Sequence, residues 1–225
     1  MEGKSHMIGG IAFGLGGYIV LRNNGMLLDG VSPWVQLVGM YPFAVYGSKI
    51  IDNDHNPQSA PCKDIVGVGI NRLLHLTTKT RQLTKKDLKP PMNWFDAKHR
   101  SWQTHSTALL YILLAVLWVL INSVVVVDVI LLRLFLTGLV LGVLSHLVLD
   151  LLTPEGIWSL SGVLENAFGV KTGLPKKINL VPNSKFFSTG GTFESIVRLL
   201  LWVISWLLLM YVIYLELPYK LEINF

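Results

Sequence analysis

Three long apolar runs constrain the fold of this chain more than any other feature of its sequence. They extend from Ser106 to Val127, from Val129 to Leu152 and from Ser195 to Leu217, and they contain few charged residues. Each is about as long as the roughly 20 residues that a helix needs to cross a bilayer. Hydrophobic residues make up 52% of the chain and charged residues only 15%, which is unusual for a soluble globular protein. The sequence therefore predicts an integral membrane protein.

Two weaker apolar runs precede these three. Met7 to Leu21 is short and rich in glycine, and Pro33 to Ile51 is interrupted by Pro42. The first run lacks the small-residue cleavage pattern of a signal peptide, and its Gly10 and Gly14 have the four-residue spacing that lets membrane helices approach closely. We expect this run to be a retained helix. The sequence predicts an all-α polytopic membrane protein with about five membrane-embedded helices, forming a single domain over residues 1–225.

The basic residues are distributed unevenly about these five helices. If all five cross the membrane, one face receives the N-terminus and the segments 52–105 and 153–194. With Lys49 and Arg198 at the adjoining helix ends, that face carries 16 of the 19 lysines and arginines, and the other carries only Arg22, Arg133 and Lys220. By the positive-inside tendency, the basic face is cytoplasmic. Anionic lipid headgroups explain the net charge of +5, so no nucleic acid is expected as a stable partner.

Histidine, aspartate and glutamate residues occur at the ends of all five helices, on the same predicted face. These residues are His6 at the first helix, Asp52, Asp54 and His55 after the second, His99 and His105 before the third, His146 and Asp150 at the fourth, and Glu194 at the fifth. A charged group in hydrocarbon costs on the order of 2.5 to 3.5 kcal/mol even on lenient scales, so packing alone does not explain this arrangement. A shared site would offset the cost.

The residue types and their spacing indicate a metal site. Residues four apart on a helix face the same way, so His146 and Asp150 can bind one ion. Mixed imidazole and carboxylate ligands suit zinc, manganese or iron, and they leave room for a bound water. The candidate metal ligands are His6, Asp52, Asp54, His105, His146 and Asp150.

Each motif also has a structural alternative. His146 and Asp150 could be a hydrogen-bonded pair on one helix, and the stretch from Asp52 to His55 could be a solvated turn with a helix-capping aspartate. His55 could be a ligand, a proton carrier or a group that supports a ligand. His75 has no acidic neighbour close in sequence, and we expect it to be structural or solvated.

Three motifs carry a resemblance to a known family. DxDHxPxS extends from Asp52 to Ser59, HR…THS from His99 to Ser106, and LSHLxLDxLTPxG from Leu144 to Gly156. Together they resemble the YdjM-like family of bacterial inner-membrane proteins, described as metal-dependent hydrolases, over most of the chain. That family is distantly similar to zinc-dependent phospholipase C and P1-type nucleases, helical enzymes that cleave phosphoesters with metals held by histidine and aspartate. The resemblance implies zinc as the metal.

The chain departs from those soluble enzymes in several ways. No histidine follows His146, so the histidines that bind their third metal late in the chain are lacking, and we expect one or two ions. Met1 to Ser5 precede His6, which would replace the N-terminal amine that some of these enzymes use as a ligand. The spacing between Arg100 and Thr104 is one residue longer than the family pattern. Either His99 or His105 could then be the direct ligand, and we favour His105 because it lies at a helix start.

The resulting hypothesis is a multi-pass inner-membrane enzyme whose metal site faces the cytoplasm. It would hydrolyse a phosphoester, in a lipid or lipid-linked substrate, with His55, His99 and Glu194 as catalytic residues. Arg100 would bind the substrate, because a guanidinium forms paired hydrogen bonds with phosphate oxygens. The alternative is a metal-ion or proton-coupled membrane transporter or sensor without hydrolysis. A structural membrane protein with a vestigial site is a third hypothesis, and the sequence does not specify the oligomeric state.

Overall fold

The computed structural model describes residues 3–54, 61–73, 104–122, 130–181, 186 and 190–217. Most of these residues are helical: α1 (Gly3–Asn23), α2 (Pro33–Ile50), α3 (65–73), α4 (Thr107–Asn122), α5 (Ile130–Leu151), α6 (Leu160–Phe168) and α7 (Thr192–Glu216). A 3-10 turn at Ile51–Asp54 follows α2, and two short strands, β1 (Ile157–Trp158) and β2 (Lys177–Ile178), pair antiparallel. The predicted helical class is confirmed, with this small strand pair as an addition.

The helices α2 and α5 lie side by side with their backbones in contact. A Cβ atom at Gly142 would lie 2.0 Å from the carbonyl oxygen of Ala44, and one at Gly138 would lie 2.1 Å from that of Met40. The contacting residues advance in the same direction along both helices, so α2 and α5 run parallel. Small residues allow this close approach, as they commonly do between membrane helices.

The helix α1 packs on α2 through the glycines that the sequence singled out. A Cβ atom at Gly10 would lie 2.7 Å from the carbonyl oxygen of Ala44, and one at Gly14 would lie 2.9 Å from the Ala44 Cβ. The predicted close approach at Gly10 and Gly14 is therefore confirmed. It brings the first turns of α1 next to the last turns of α2.

The same helix runs antiparallel to α5. Gly9 of α1 faces Leu149, near the end of α5, and Gly17 faces Leu141, two turns earlier. The start of α1 and the end of α5 therefore lie at the same end of the helix bundle.

Polar contacts at both ends fix α7 beside α1. Near the start of each helix, the Ser5 hydroxyl donates to Oε1 of Glu194 at 2.7 Å. Near the other ends, the Tyr18 hydroxyl donates to Oε1 of Glu216 at 2.7 Å, and Arg22 forms an ion pair with the same carboxylate. The two helices therefore run parallel.

Two of the described helices are long and apolar enough to cross a membrane by length and composition, over Leu132–Leu151 of α5 and Thr192–Glu216 of α7. The apolar helix α4 is shorter over its described residues. The six glycines of α1, and Gln36, Pro42 and Lys49 of α2, make those helices less apolar. Other helices bury most of α5 but little of α7, so α7 presents most of its apolar surface outward.

The segment 152–181 folds back over the ends of α4 and α5. The Trp158 N–H donates to the carbonyl oxygen of His105 at 2.7 Å, and the Leu180 N–H donates to that of Leu151 at 2.8 Å. This segment, with β1, α6 and β2, is fixed at the bundle end where α1 begins and α5 finishes.

Candidate metal centre

Five polar side chains from four parts of the chain meet at this end of the bundle. His6 lies in the first turns of α1, Asp52 in the 3-10 turn after α2, His105 directly before α4, and His146 and Asp150 in the last turns of α5. All five are buried, and Asp52, the most exposed, retains only 7% of its accessible surface. The alternating helix directions bring these residues together, as the predicted arrangement of helix ends requires.

Four donor atoms form the centre of this group. The Nε2 atoms of His105 and His146 lie 3.2 Å apart. Each nitrogen lies 3.3 or 3.4 Å from Oδ1 of Asp52 and from Oδ2 of Asp150. A tetrahedral ion with ligand bonds of about 2.0–2.2 Å places its donors about 3.3–3.6 Å apart. The separations among His105, His146 and Asp150 therefore fit the ligand spacing of one ion, whereas Asp52 groups with His6 and His146.

A backbone carbonyl determines which nitrogen of His146 carries a proton. The Nδ1 atom lies 2.6 Å from the carbonyl oxygen of Ser48. A carbonyl oxygen only accepts, so Nδ1 is the donor and the neutral ring presents the lone pair of Nε2 to the centre. The Nδ1 atom of His105 contacts the Thr104 hydroxyl at 2.9 Å. Metal-binding histidines usually have such a partner on the second ring nitrogen.

A fifth side chain, that of His6, lies beside His146 and Asp150. The His6 ring stacks on that of His146 with centroids 3.6 Å apart and an interplanar angle of 9°. Its Nε2 lies 3.5 Å from Oδ1 of Asp150, whereas Oδ2 of that carboxylate faces His105 and His146. Neither ring nitrogen of His6 forms a hydrogen bond with any residue in the described ranges. Asp150 thus presents one oxygen to His6 and the other to His105 and His146, and it would be a ligand of an ion on either side.

The donor set fits a divalent transition metal. Two overlapping groups, His6 with Asp52 and His146, and His105 with His146 and Asp150, have donor atoms within 4.8 Å of one another and could hold a metal ion. Buried carboxylates require compensating positive charge, and an ion bound by the same atoms supplies it. Mixed nitrogen and oxygen ligands suit zinc, manganese and iron alike.

Asp52 and Cys62 lie outside the apolar helices and differ in protonation. Burial alone would raise the pKa of Asp52, but attraction to His146 and hydrogen bonds from His105 and His146 hold it well below its usual value. These interactions require a proton on each Nε2, and a metal ion bound at the same nitrogens would take their place. Asp52 is therefore ionised, as a metal ligand must be. Burial and the Asp64 carboxylate raise the pKa of the Cys62 thiol to about 11. Cys62 is a neutral thiol and does not supply a thiolate ligand.

Asn53 shapes the turn that carries Asp52, a role that the sequence reasoning missed. Its Nδ2 donates to the Cys62 carbonyl, and its Oδ1 accepts from the Cys62 N–H, both at 2.9 Å. Its own carbonyl oxygen accepts from Nδ2 of Asn71 at 2.6 Å. The sequence offered one signal for this role, an amide residue between two aspartates. The Ser48 carbonyl was missed for another reason, because every residue has one.

Glu194 lies at the same end of the bundle but belongs to neither group of donors. It retains 3% of its accessible surface, and its Oε1 and Oε2 accept from the Ser5 hydroxyl and the Gly190 N–H, each at 2.7 Å. Ser5 is the chain neighbour of His6, so Glu194 connects α7 to the turn that carries His6. Proton transfer by Glu194 stays a prediction.

The other predicted site residues fall largely outside the described part of the chain. Asp54 is the last residue of the 3-10 turn, and its side chain is not among those described. His55, His75, His99 and Arg100 lie outside the described residues. The roles predicted for them stay predictions.

Comparisons with known proteins bear on the resemblance found in the sequence. No curated protein and no solved structure matches the chain. The distant similarity to zinc-dependent phospholipase C and P1-type nucleases therefore stays a prediction. A family model described as YdjM inner membrane protein matches residues 1–218. Because this match extends over nearly all of the 225 residues, the chain belongs to the YdjM inner membrane protein family.

Proposed function

We propose that this chain is a membrane-bound metal-dependent hydrolase that cleaves a phosphoester in a lipid or lipid-linked substrate. One observation carries the proposal: the buried donor atoms of His105, His146 and Asp150 lie within 4.8 Å of one another, as do those of His6, Asp52 and His146, so that either group could hold a metal ion. Phosphoester cleavage is a reaction for which such ions are well suited.

The ligands would be His6, Asp52, Asp54, His105, His146 and Asp150, holding one or two ions, with zinc preferred and manganese or iron as alternatives. When bound, such an ion lowers the pKa of a bound water toward neutrality and polarises a phosphoryl oxygen. The remaining assignments come from the sequence. His55, His99 and Glu194 would move protons, and Arg100 would bind the negative charge of the substrate.

The site would face the cytoplasm from a bundle of five membrane-embedded helices, α1, α2, α4, α5 and α7. Contacts support alternating directions: α1, α4 and α7 begin at the end that holds the candidate centre, and α2 and α5 finish there. The high proportion of lysine and arginine in the predicted segments at that end favours the cytoplasmic side.

A cavity between α1, α2 and α7 supports the proposal that the substrate is a lipid. It has a volume of about 440 Å³ and a mostly apolar lining that includes Leu15, Leu37, Trp202 and Trp206. Both tryptophans are about half exposed on the outward surface of α7. An acyl chain could therefore enter this cavity from the bilayer while its headgroup remains at the helix ends.

The direct test compares the metal-loaded and metal-stripped full chain in lipid nanodiscs. Protein purified without chelator is expected to hold at least one transition metal per chain, and a strong chelator should lower its thermal midpoint because the metal binds only the folded state. Phosphate or headgroup release from a panel of phospholipids should stop on stripping and return with zinc. Protein that contains no metal after metal-replete expression, or that loses no activity on stripping, would contradict the proposal.

The alternative, a metal-ion or proton-coupled transporter or sensor, requires polar groups through the bilayer. The eleven residues of α1 from Met7 to Gly17 are all apolar or glycine, which does not favour a pathway along that helix. Proteoliposomes separate the two functions. Metal-dependent uptake of zinc or protons without any ester cleavage would support transport and contradict the hydrolase.

A further inference from the structure

We propose that a cleft beside the candidate centre binds the phosphate group of the substrate through Lys4 and Lys49. This inference rests on the proposed function and names two binding residues in addition to Arg100. The cleft has a volume of about 460 Å³. Lys4, His6 and Met7 of α1 line it together with Ser48 and Lys49 of α2 and with Asp52.

The cleft reaches the candidate metal centre from one side. His6 and Asp52 line the cleft, and both belong to one of the two donor groups. His105, His146 and Asp150 are fully buried. The described part of the site is therefore accessible from the side of His6 and Asp52. A substrate that meets a metal-bound water would approach through this cleft.

His6 also indicates that the cleft receives a ligand. Its side chain is 1% exposed, and neither ring nitrogen forms a hydrogen bond with a residue in the described ranges. A buried polar side chain without a hydrogen bond carries a desolvation cost that a bound group would offset. Here that group is an ion or the ligand it holds.

Charge identifies the ligand as an anion. Lys4 is exposed and Lys49 is half-buried, and neither forms an ion pair with another described residue. The carboxylates of Asp52 and Asp150 would repel a phosphate, so its approach requires positive charge beyond that of a single ion. Two ammonium groups at the mouth supply that charge, and lysine is a common phosphate ligand. The first turn of α1 adds the partial positive charge of a helix N-terminus.

The test measures binding of inorganic phosphate to the zinc-loaded full chain in phosphatidylcholine nanodiscs, by calorimetry. Lys4→Gln and Lys49→Gln should each weaken binding by about tenfold, the expected effect of losing one charge-assisted hydrogen bond. The double variant should lose binding, whereas Lys49→Arg should retain it. Zinc content and thermal midpoint should not change. The matched control is Lys63→Gln, an exposed lysine that does not line the cleft.

Two sources of phosphate are then distinguished by adding phosphatidic acid to the nanodiscs. Competition with inorganic phosphate shows that the cleft reaches lipid headgroups, and lack of competition shows that it takes a soluble phosphoester. Wild type that binds no phosphate, or a double variant that binds it as well as wild type, would overturn the assignment of the lysines. Phosphate binding through the lysines without any ester cleavage would instead overturn the proposed hydrolase and leave the anion site standing.

Discussion

Asp150 is central to the candidate metal centre because its two carboxylate oxygens face different histidines. Oδ1 lies 3.5 Å from Nε2 of His6, and Oδ2 lies 3.3 Å from that of His105 and 3.4 Å from that of His146. An asparagine would keep the size of the side chain but replace one oxygen by a nitrogen with no lone pair for a metal. The substitution therefore separates a ligand role from a structural one.

For Asp150→Asn we expect bound metal to fall well below one ion per chain and hydrolysis to decrease by roughly 100-fold or more, since even partners behind a ligand are worth about 10–100-fold. The protein should still insert and purify. His146→Ala should behave similarly, and the double variant should be little worse, because groups that act as one unit are not additive. Metal analysis and turnover of the purified variants check this.

The matched control for this prediction is Asp29→Asn, an exposed aspartate in the loop between α1 and α2. It should leave metal content and turnover near those of wild type. If Asp150→Asn instead keeps full metal occupancy and full turnover, His146 and Asp150 are only a hydrogen-bonded helix pair.

At the residue scale, the sequence predicted the metal-binding side chains, but it did not predict the groups that orient them. The spacing of His146 and Asp150 predicted a shared face, and the fold brings the predicted ligands His6, Asp52 and His105 to it. No pattern could show that the Ser48 carbonyl would orient His146, because that contact joins residues 98 apart through a backbone atom.

At the scale of elements, the contact between α1 and α7 decides how His6 is held. The Ser5 hydroxyl and the Gly190 N–H satisfy the buried Glu194 carboxylate. Loss of either side-chain partner leaves a buried polar group without its hydrogen bond, which costs about 1–3 kcal/mol and more for a charged group. The turn before His6 would then be less fixed.

We expect Glu194→Gln, which cannot transfer the proton proposed for Glu194, to lose turnover per bound metal, whereas Ser5→Ala should keep it within about threefold of wild type. Both variants should lower the thermal midpoint and weaken metal binding. The reason is that both variants loosen the same hydrogen bond. Thermal unfolding, metal titration and turnover measurements test this prediction. A Glu194→Gln variant that keeps wild-type turnover per bound metal would contradict proton transfer by Glu194 and leave it a structural role only.

The close contact between α2 and α5 gives a second prediction at this scale. A methyl group at Gly142 would lie 2.0 Å from the Ala44 carbonyl oxygen, so Gly142→Ala must move one backbone away from the other. We expect a loss of at least about 1–3 kcal/mol of stability, as for other overpacked sites. Metal affinity should fall as well, because α2 precedes Asp52 and α5 carries His146. Thermal midpoint and metal titration measure both effects.

Gly16→Ala in α1 is the matched control. A Cβ atom there would meet only Leu208 Cδ1 at 3.9 Å, which is ordinary contact. Removing a helical glycine at such a position should stabilise the helix by up to about 1 kcal/mol. Equal effects of the two alanines would show that α2 and α5 are not in backbone contact.

The elements that were predicted best are those with a strong pattern. The long apolar runs correspond to α4, α5 and α7, whereas β1, α6 and β2 were not predicted as elements. Two-residue strands have no periodicity to detect. Their pairing depends on the ends of α4 and α5 through Trp158 and Leu180, contacts that exist only after the helices pack.

At the scale of the whole molecule, orientation in the membrane determines which compartment supplies the substrate. Asn24 follows α1 at the end of the bundle opposite the candidate metal centre. Lys171 follows α6, in the segment that covers the end with the candidate centre, and both residues are exposed. Cys62 is the single cysteine and is buried, so a Cys62→Ser background leaves one engineered thiol for labelling.

In intact cells we expect an impermeant thiol reagent to label Asn24→Cys and to leave Lys171→Cys unlabelled until the membrane is permeabilised. A cysteine in the predicted 79–89 loop should behave like Lys171→Cys. The expectation follows from the basic residues: only Arg22, Arg133 and Lys220 lie on the predicted outer face, and lysine and arginine are retained on the cytoplasmic side.

Reversed labelling would place His6 and Asp150 at the outer surface, where an inner-leaflet lipid or a cytoplasmic phosphoester could not reach them. Labelling of both positions in intact cells would mean that α1 does not separate them across the bilayer, and a five-helix bundle with one cytoplasmic site would then be wrong even if the metal centre itself is correct.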